Sequence, residues 1–395
     1  MDSRRWILAA VAVATFLDTL IFGIIIPILP VYSENLGATP FTLGVIFAAY
    51  SASLLAGTIP LGLLSDRYGR KKIMLLGLLT LSLSTLGFTL ANSLWLLILI
   101  RLIQGFSAGA TWTAGPALVA DLYPPDQRGA KMGIISAATG FGFLIGPAAG
   151  GLLYELGGYR LPFLIGTILS LIVGLFVLKV LPADKTNGKS RKRDHSLLEV
   201  LQFKGVPVSL TVILLGSTGF GFIDPILPGY FMDKFGISPG IVGILFGLIS
   251  LSHVSSAPVI GKLSDSWGRL KLIQWGLVGT AAVIPLVSLS NSLITTAMVM
   301  GLLGITFGLI LTPTMPLLAD SVMLQSKDSG EASYGAAFGL YNTAFSLGYL
   351  WGPLFGGGWM EFLPLWGLFA LYSLLLLTLF LFTLPRNKKE IRGLQ

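Results

Sequence analysis

The chain has no cysteine. That excludes disulfides and all thiol chemistry. Histidine is almost as scarce, with only His195 and His253 in the whole sequence. No acid–histidine motif stands inside an apolar run. An enzyme working inside a membrane needs a nucleophile–base pair or a metal cluster within its spans, and no cysteine with a single span histidine, His253, argues against one. Neither a metal nor a cofactor is expected, and the chain does not read as an enzyme. Charge is scarce too: charged residues make up 11% of the chain, against about 25% in a soluble domain.

Apolar residues fill the space that charge leaves, at 54% of 395 residues. A helix needs about 20 apolar residues to cross a bilayer, and twelve such runs occur, at about 6–30, 41–64, 73–91, 94–120, 132–154, 161–182, 207–230, 240–263, 272–290, 294–320, 336–358 and 364–385. None alternates with the period of a membrane barrel strand. The opening "MDSRRW" leads into a run too long for a signal peptide, with no small-residue cleavage site, and reads as the first span.

The net charge of +8 raises the prospect of a nucleic-acid partner, and its placement removes it. With a cytoplasmic N-terminus, every Lys and Arg except Arg101, Arg160 and Lys234 falls on the cytoplasmic side. That is the positive-inside bias. It predicts a plasma (inner) membrane protein with both termini in the cytoplasm, the C-terminal one carrying Arg386, Lys388, Lys389 and Arg392.

The sequence is written twice. "GLLSDRYGRKK" (62–72) returns as "GKLSDSWGRLK" (261–271), so Gly62, Asp66, Gly69 and Arg70 fall on Gly261, Asp265, Gly268 and Arg269 at an offset of 199. Asp121 falls on Asp320 at the same offset. A second phrase repeats at 206: "GIISAATGFGFLIGPAAGG" (133–151) and "GLYNTAFSLGYLWGPLFGG" (339–357). The repeats predict an all-α integral membrane protein of twelve transmembrane helices in two pseudo-symmetric six-helix bundles, 1–182 and 206–395. The polar, cationic segment 183–205 between them reads as a cytoplasmic linker. Parallel halves with a site at their interface describe one class of secondary transporter.

These motifs resemble those of the major facilitator superfamily. "GLLSDRYGRKK" is similar to that family's loop 2–3 motif, "RLIQGFSAG" (101–109) to its fourth-span motif, and the Gly-Pro-Gly-Gly phrase to the mark of its drug:proton antiporters. A narrower resemblance, carried by "LDTLIFGIIIPILP" (17–30), "FIDPILP" (222–228) and "LLYEL" (152–156), is to the vesicular amine transporters and related multidrug exporters. Where those carry a lysine in the second span and an acid in the eleventh, this chain has Tyr50 and Asn342. The resemblance implies a secondary transporter that exchanges protons for a small organic molecule, cationic or lipophilic, by alternating access as a monomer in the lipid bilayer. It also implies that Asp66 and Arg70, with Asp265 and Arg269 in the weaker copy, hold a cytoplasmic gate. A facilitator-type importer or symporter of a neutral solute such as a sugar is the rival reading, and the exporter phrase in span 5 argues against it.

Residue chemistry marks a site as well. Asp18 lies mid-span and its repeat mate is Gly216; Arg101 is matched by Met300. The scaffold therefore requires neither charge, and an intramembrane charge is costly and usually functional. Mutual pairing of Asp18 with Arg101 is the structural alternative, as is snorkelling of Arg101 to an interface. Asp224 reads as closer to the outer surface, where capping competes with function. Tyr50, Gln104, Trp112, Tyr341, Asn342 and Phe345 are candidate cavity residues, since aromatic faces hold flat ligands and cations. Gly62 and Gly69 are expected to relieve crowding in a tight turn. Gly142, Gly146 and Gly150 share one helix face, as do Gly348, Gly352 and Gly356. With Pro147 and Pro353 these faces are expected at a gating seam between the halves.

Overall fold

The computed structural model describes residues 3–182, 200–323 and 331–384. Most of the expected linker and the cationic tail therefore lie outside the described residues. Among those described there is no strand. In lipid each backbone N–H and C=O must be satisfied internally, and the apolar runs do this as helices. They are α1 (Ser3–Glu34), α2 (Pro40–Tyr68), α3 (Arg70–Leu90), α4 (Leu94–Leu122), α5 (Pro125–Gly157), α6 (Arg160–Val180), α7 (Val206–Phe235), α8 (Pro239–Trp267), α9 (Arg269–Val283), α10 (Leu286–Leu289), α11 (Leu293–Leu311), α12 (Thr314–Met323), α13 (Glu331–Met360) and α14 (Leu365–Thr383).

Among the described residues, 11 stretches are long and apolar enough to cross a bilayer. The twelfth run, 336–358, lies in α13, a 30-residue helix. Two expected spans are broken. Span 9 is α9 then α10, interrupted before Pro285; span 10 is α11 then α12, interrupted at Pro313. Proline has no N–H to continue the ladder. Yet α1, α2, α4, α5, α7, α8 and α13 each carry proline and run through it. Repetition extends to the caps: Ser93 accepts from Leu96 N at α4, and Ser292 makes a capping box with Thr295 at α11.

The chain divides into two compact units, Met1–Ser190 with Asp224–Gly247, and Arg191–Ile223 with Leu248–Gln395. In the first unit α1 packs on α5 and α6, α2 on α4, and α3 on α4 and α6. Its core runs through Val11, Ile21, Ile25, Met74, Leu78, Phe88 and Phe163, with Phe88 and Phe163 stacked at 4.8 Å. In the second unit α9 packs on α11 and α14, and α12 on α13.

The glycine stripes pack helices within each unit. A Cβ built at Gly146 would stand 2.7 Å from Leu20 O and 2.8 Å from Gly23 Cα; one at Gly150, 2.7 Å from Ile24 Cα. Gly142, Gly146 and Gly150 thus bring α5 onto α1. Gly348 and Gly352 do the same for α13 on α7, where a Cβ at Gly352 would meet Thr218 O at 2.5 Å and Gly221 Cα at 2.9 Å. The stripes themselves thus pack helices of the same unit. A different face of α5 meets α8: Pro147 O closes on Gly243, and Gly151 on Pro239 and Gly240. One turn further along, the Glu155 carboxylate accepts from Ser238 Oγ and, at 3.1 Å, from Gly240 N. It thereby caps the first turn of α8, where backbone N–H groups have no helical partner.

Candidate functional site

The α1–α5 contact fixes the register of α1, and with it the position of Asp18. Thr19, the next residue, is held against α5 by its hydroxyl, which donates to Thr139 O at 3.2 Å. Asp18 is 2% exposed. Trp112 on α4 donates its Nε1–H to Asp18 Oδ2 at 2.8 Å. The other oxygen, Oδ1, is buried with no hydrogen-bond partner. An indole donor offsets part of the cost of holding this carboxyl away from water; a full charge there still lacks a partner.

Arg101, also on α4, is 0% exposed. It does not snorkel. It forms no ion pair with Asp18 either, so neither structural alternative holds. Its Nε donates to Ile46 O at 3.4 Å and its Nη1 to Gln104 Oε1 at 2.8 Å. Three rings surround the guanidinium, with centroids 5.3 Å (Phe22), 5.3 Å (Phe47) and 4.7 Å (Tyr50) away. Aromatic faces stabilise a desolvated cation by about 2 kcal/mol each and leave its charge unneutralised. Nη2 is buried without a partner. Tyr50 lies within electrostatic reach of both Asp18 and Arg101, so one cluster holds both charges. In the second unit the place of Arg101 is taken by Met300, fully buried. The fold tolerates an apolar side chain there.

Asp224 is 5% exposed and within electrostatic reach of Arg101. It is a buried carboxyl, not the surface cap its position in the sequence suggested. Five expected site residues are thus brought together in the first unit: Asp18, Tyr50, Arg101, Gln104 and Trp112, with Asp224 acting on the same arginine. Phe22 and Phe47 were missed; only their neighbourhood to Asp18 and Tyr50 in the chain pointed to them. Tyr341, Asn342 and Phe345 belong to the second unit. Tyr341 and Phe345 stack at 6.0 Å and pack on a cluster with Val206, Ile213 and Leu318, which gives both rings a packing role.

The twice-written charged phrase forms two matching corners. A single residue, Gly69, separates α2 from α3, and Gly268 separates α8 from α9. Their φ values are 108° and 95°, a region that side chains strain to enter. At Gly69 it is this backbone conformation that calls for a glycine. At Gly62 a Cβ would find nothing within 4 Å, so crowding does not demand a glycine. At the first corner Arg70 pairs with Asp66 at 2.5 Å and with Asp121 at 3.2 Å, and donates to Ser65 Oγ at 3.1 Å. At the second Arg269 pairs with Asp320 and, at 4.0 Å, with Asp265. Asp121 and Asp320 were visible as a repeat in the sequence but not as the arginines' partners.

The comparisons with known proteins agree with this architecture. A profile of the Major Facilitator Superfamily matches residues 11–223 and again 209–394. The chain is 28% identical over 352 residues to the MFS-type transporter SLC18B1 of Rattus norvegicus, covering 85% of this chain and 76% of that one. It is 30% identical over 356 residues to the quinolone resistance protein NorA of Staphylococcus aureus, covering 87% of each. Among solved structures, a bacterial homologue of the human lysosomal transporter Spinster superposes with a TM-score of 0.75 at 17% identity, over 91% of this chain and 83% of that one. The human organic anion transporter MFSD10 superposes with a TM-score of 0.70 at 20% identity, over 97% and 100%. With a profile match over both halves of the repeat, a 30% identical relative and the all-helical membrane fold in agreement, this chain is a membrane transporter, not an enzyme, and belongs to the major facilitator superfamily.

Proposed function

We propose that the protein exports small organic cations, or lipophilic amines, in exchange for protons by alternating access. One observation carries this reading: Asp18 is buried, unpaired with Arg101, and keeps a free oxygen. A carboxylate in that state has use for either a proton or a cationic group, and holding one excludes the other. That exclusion is the chemistry of antiport. Similarity to NorA, named for quinolone resistance, supports efflux of a drug-like compound. The Lys and Arg bias supports termini in the cytoplasm of the plasma (inner) membrane. The two six-helix halves, 1–182 and 206–395, are the bodies expected to move. In everted vesicles energised to be acid inside, fluorescent organic cations are expected to accumulate and to leave when the pH gradient is collapsed. Accumulation of a sugar and of no cation would favour the rival, neutral-solute reading.

The corners act as the cytoplasmic gate in this scheme. Asp66 and Asp121 are 47% and 51% exposed at the side chain. Exposed pairs contribute only about 0–1 kcal/mol, so fold stability does not account for so specific an arrangement. Asp66→Asn is accordingly expected to lower stability by no more than about 1 kcal/mol and to slow transport several-fold, with equilibrium binding little changed. Loss of binding as complete as the loss of transport would remove the gate assignment.

A further inference from the structure

Two helices of the repeat begin on matching phrases, Thr39-Pro40 at α2 and Ser238-Pro239 at α8, at the offset of 199. Thr39 and Ser238 are both N-caps. Their carbonyls accept the first helical bond, from Leu43 N at 2.9 Å and from Val242 N at 3.2 Å. A Ser or Thr in that place turns its hydroxyl inward to accept from a backbone N–H of the first turn. Thr39 does so, with Thr42 N at 3.3 Å. Ser238 does not. Its hydroxyl donates to the Glu155 carboxylate, and that carboxylate accepts from Gly240 N at 3.1 Å. The cap of α8 is therefore supplied by α5, through a glutamate that stays exposed. Gly240 leaves room for it: a Cβ there would stand 2.5 Å from the Glu155 carboxyl carbon. The contact also joins the two halves of the repeat. Asp224–Gly247 belongs to the second half by sequence, yet it packs with the first unit.

We propose that Glu155 is a removable cap, and that its exchange for the hydroxyl of Ser238 latches and releases the α5–α8 contact as the transport cycle turns. This rests on the alternating access assigned above. In the latched form the glutamate holds the first turn of α8, where unpaired N–H groups and the helix dipole favour an anion. In the released form Ser238 turns inward and caps α8 as Thr39 caps α2, while the Glu155 carboxylate and the Gly240 N–H pass to water. Each group then has a partner in both forms. The latched form is favoured only by the difference between a carboxylate cap and a hydroxyl cap, which is small enough for a transport cycle to reverse. Gly240 is the residue that admits the glutamate, and Ser238 is the one that replaces it.

The test uses the full chain, whose lack of cysteine leaves no background thiol. Nitroxides are attached at Leu156→Cys on α5 and Ile244→Cys on α8, positions 79% and 49% exposed. Pulsed electron resonance in lipid nanodiscs then reads the populations of short and long separations. Glu155→Ala is expected to raise the ratio of long to short about fivefold. Gly240→Ala is expected to do the same with the glutamate still present, because its methyl group takes the carboxylate's place. Ser238→Ala is expected to change the ratio less than twofold, since the hydroxyl makes a bond in both forms. An unchanged ratio in Glu155→Ala overturns the latch. A change in Ser238→Ala as large as in Glu155→Ala overturns the exchange of caps. Should Gly240→Ala fail to fold, Glu155→Ala and Ser238→Ala decide. A second measurement asks whether the contact must open. A Cβ at Gly247 would lie 3.9 Å from Ala148 Cβ, within the range of a disulfide. Oxidation of the Ala148→Cys, Gly247→Cys protein with copper–phenanthroline is expected to stop uptake of a fluorescent organic cation into proteoliposomes, and reduction to restore it. Uptake undiminished by the disulfide overturns the proposal. If the parent itself moves no cation, the function proposed above fails, while the two populations still decide the latch.

Discussion

Asp18→Asn is expected to weaken binding of a permanently charged organic cation by about thirtyfold or more and to leave the remaining binding flat with pH. The substitution is nearly isosteric. An asparagine carbonyl still accepts from Trp112 Nε1, so the indole contact at 2.8 Å and the α1 register survive. What disappears is the one charge that a cation and a proton share. In the parent, protonation of Asp18 removes the cation's partner, so affinity falls as pH falls. The slope reaches about tenfold per pH unit once the protonated form dominates. The charges facing this carboxyl are Arg101 on α4 and, through the same arginine, Asp224 on α7; Tyr50 on α2 lies within reach of both. A mutant that keeps the parent's slope would pass the coupling role to Asp224. A parent without slope would remove proton competition altogether.

Gly142→Val is expected to abolish assembly, whereas Gly133→Val is tolerated. Both glycines belong to one repeated phrase, and their surroundings differ completely. A Cβ at Gly142 would collide with Thr19 Oγ1 and stand 2.6 Å from Phe16 O and 2.9 Å from Leu20 N. Two of those three atoms are backbone and move only if α1 moves. Overpacking a core costs about 1–3 kcal/mol where side chains can adjust; here a whole helix must shift, and it is the helix that holds Asp18. At Gly133 nothing lies within 4 Å. The comparison is folded yield and thermal midpoint of the two purified variants. A well-folded Gly142→Val protein would show that α1 and α5 are not in this contact.

The helices, their doubling and the charged corners were legible because each is local or repeats at fixed spacing. Apolar run length sets a span, and a one-residue turn demands a glycine whichever half it sits in. Packing partners were not legible. The stripe of Gly142, Gly146 and Gly150 announces a close approach without saying to what, and it is α1 that arrives. Proline identity did not separate the breaks at Pro285 and Pro313 from the unbroken passage at Pro147. The site was half legible. Asp18 and Arg101 stood out because their repeat mates, Gly216 and Met300, are uncharged. That the two charges would sit unpaired, one on an indole and the other among three rings, depends on helix rotation, which no single run of residues encodes.

The central claim is that proton and substrate exchange at one carboxyl. The most direct measurement is proton flux in proteoliposomes with a pH-sensitive dye inside, no initial pH gradient and an imposed gradient of a permanently charged organic cation. The expected result is proton movement against the direction of the cation in the parent and none in Asp18→Asn. Cation movement in the parent with no opposing proton flux, or undiminished proton flux in Asp18→Asn, would contradict it.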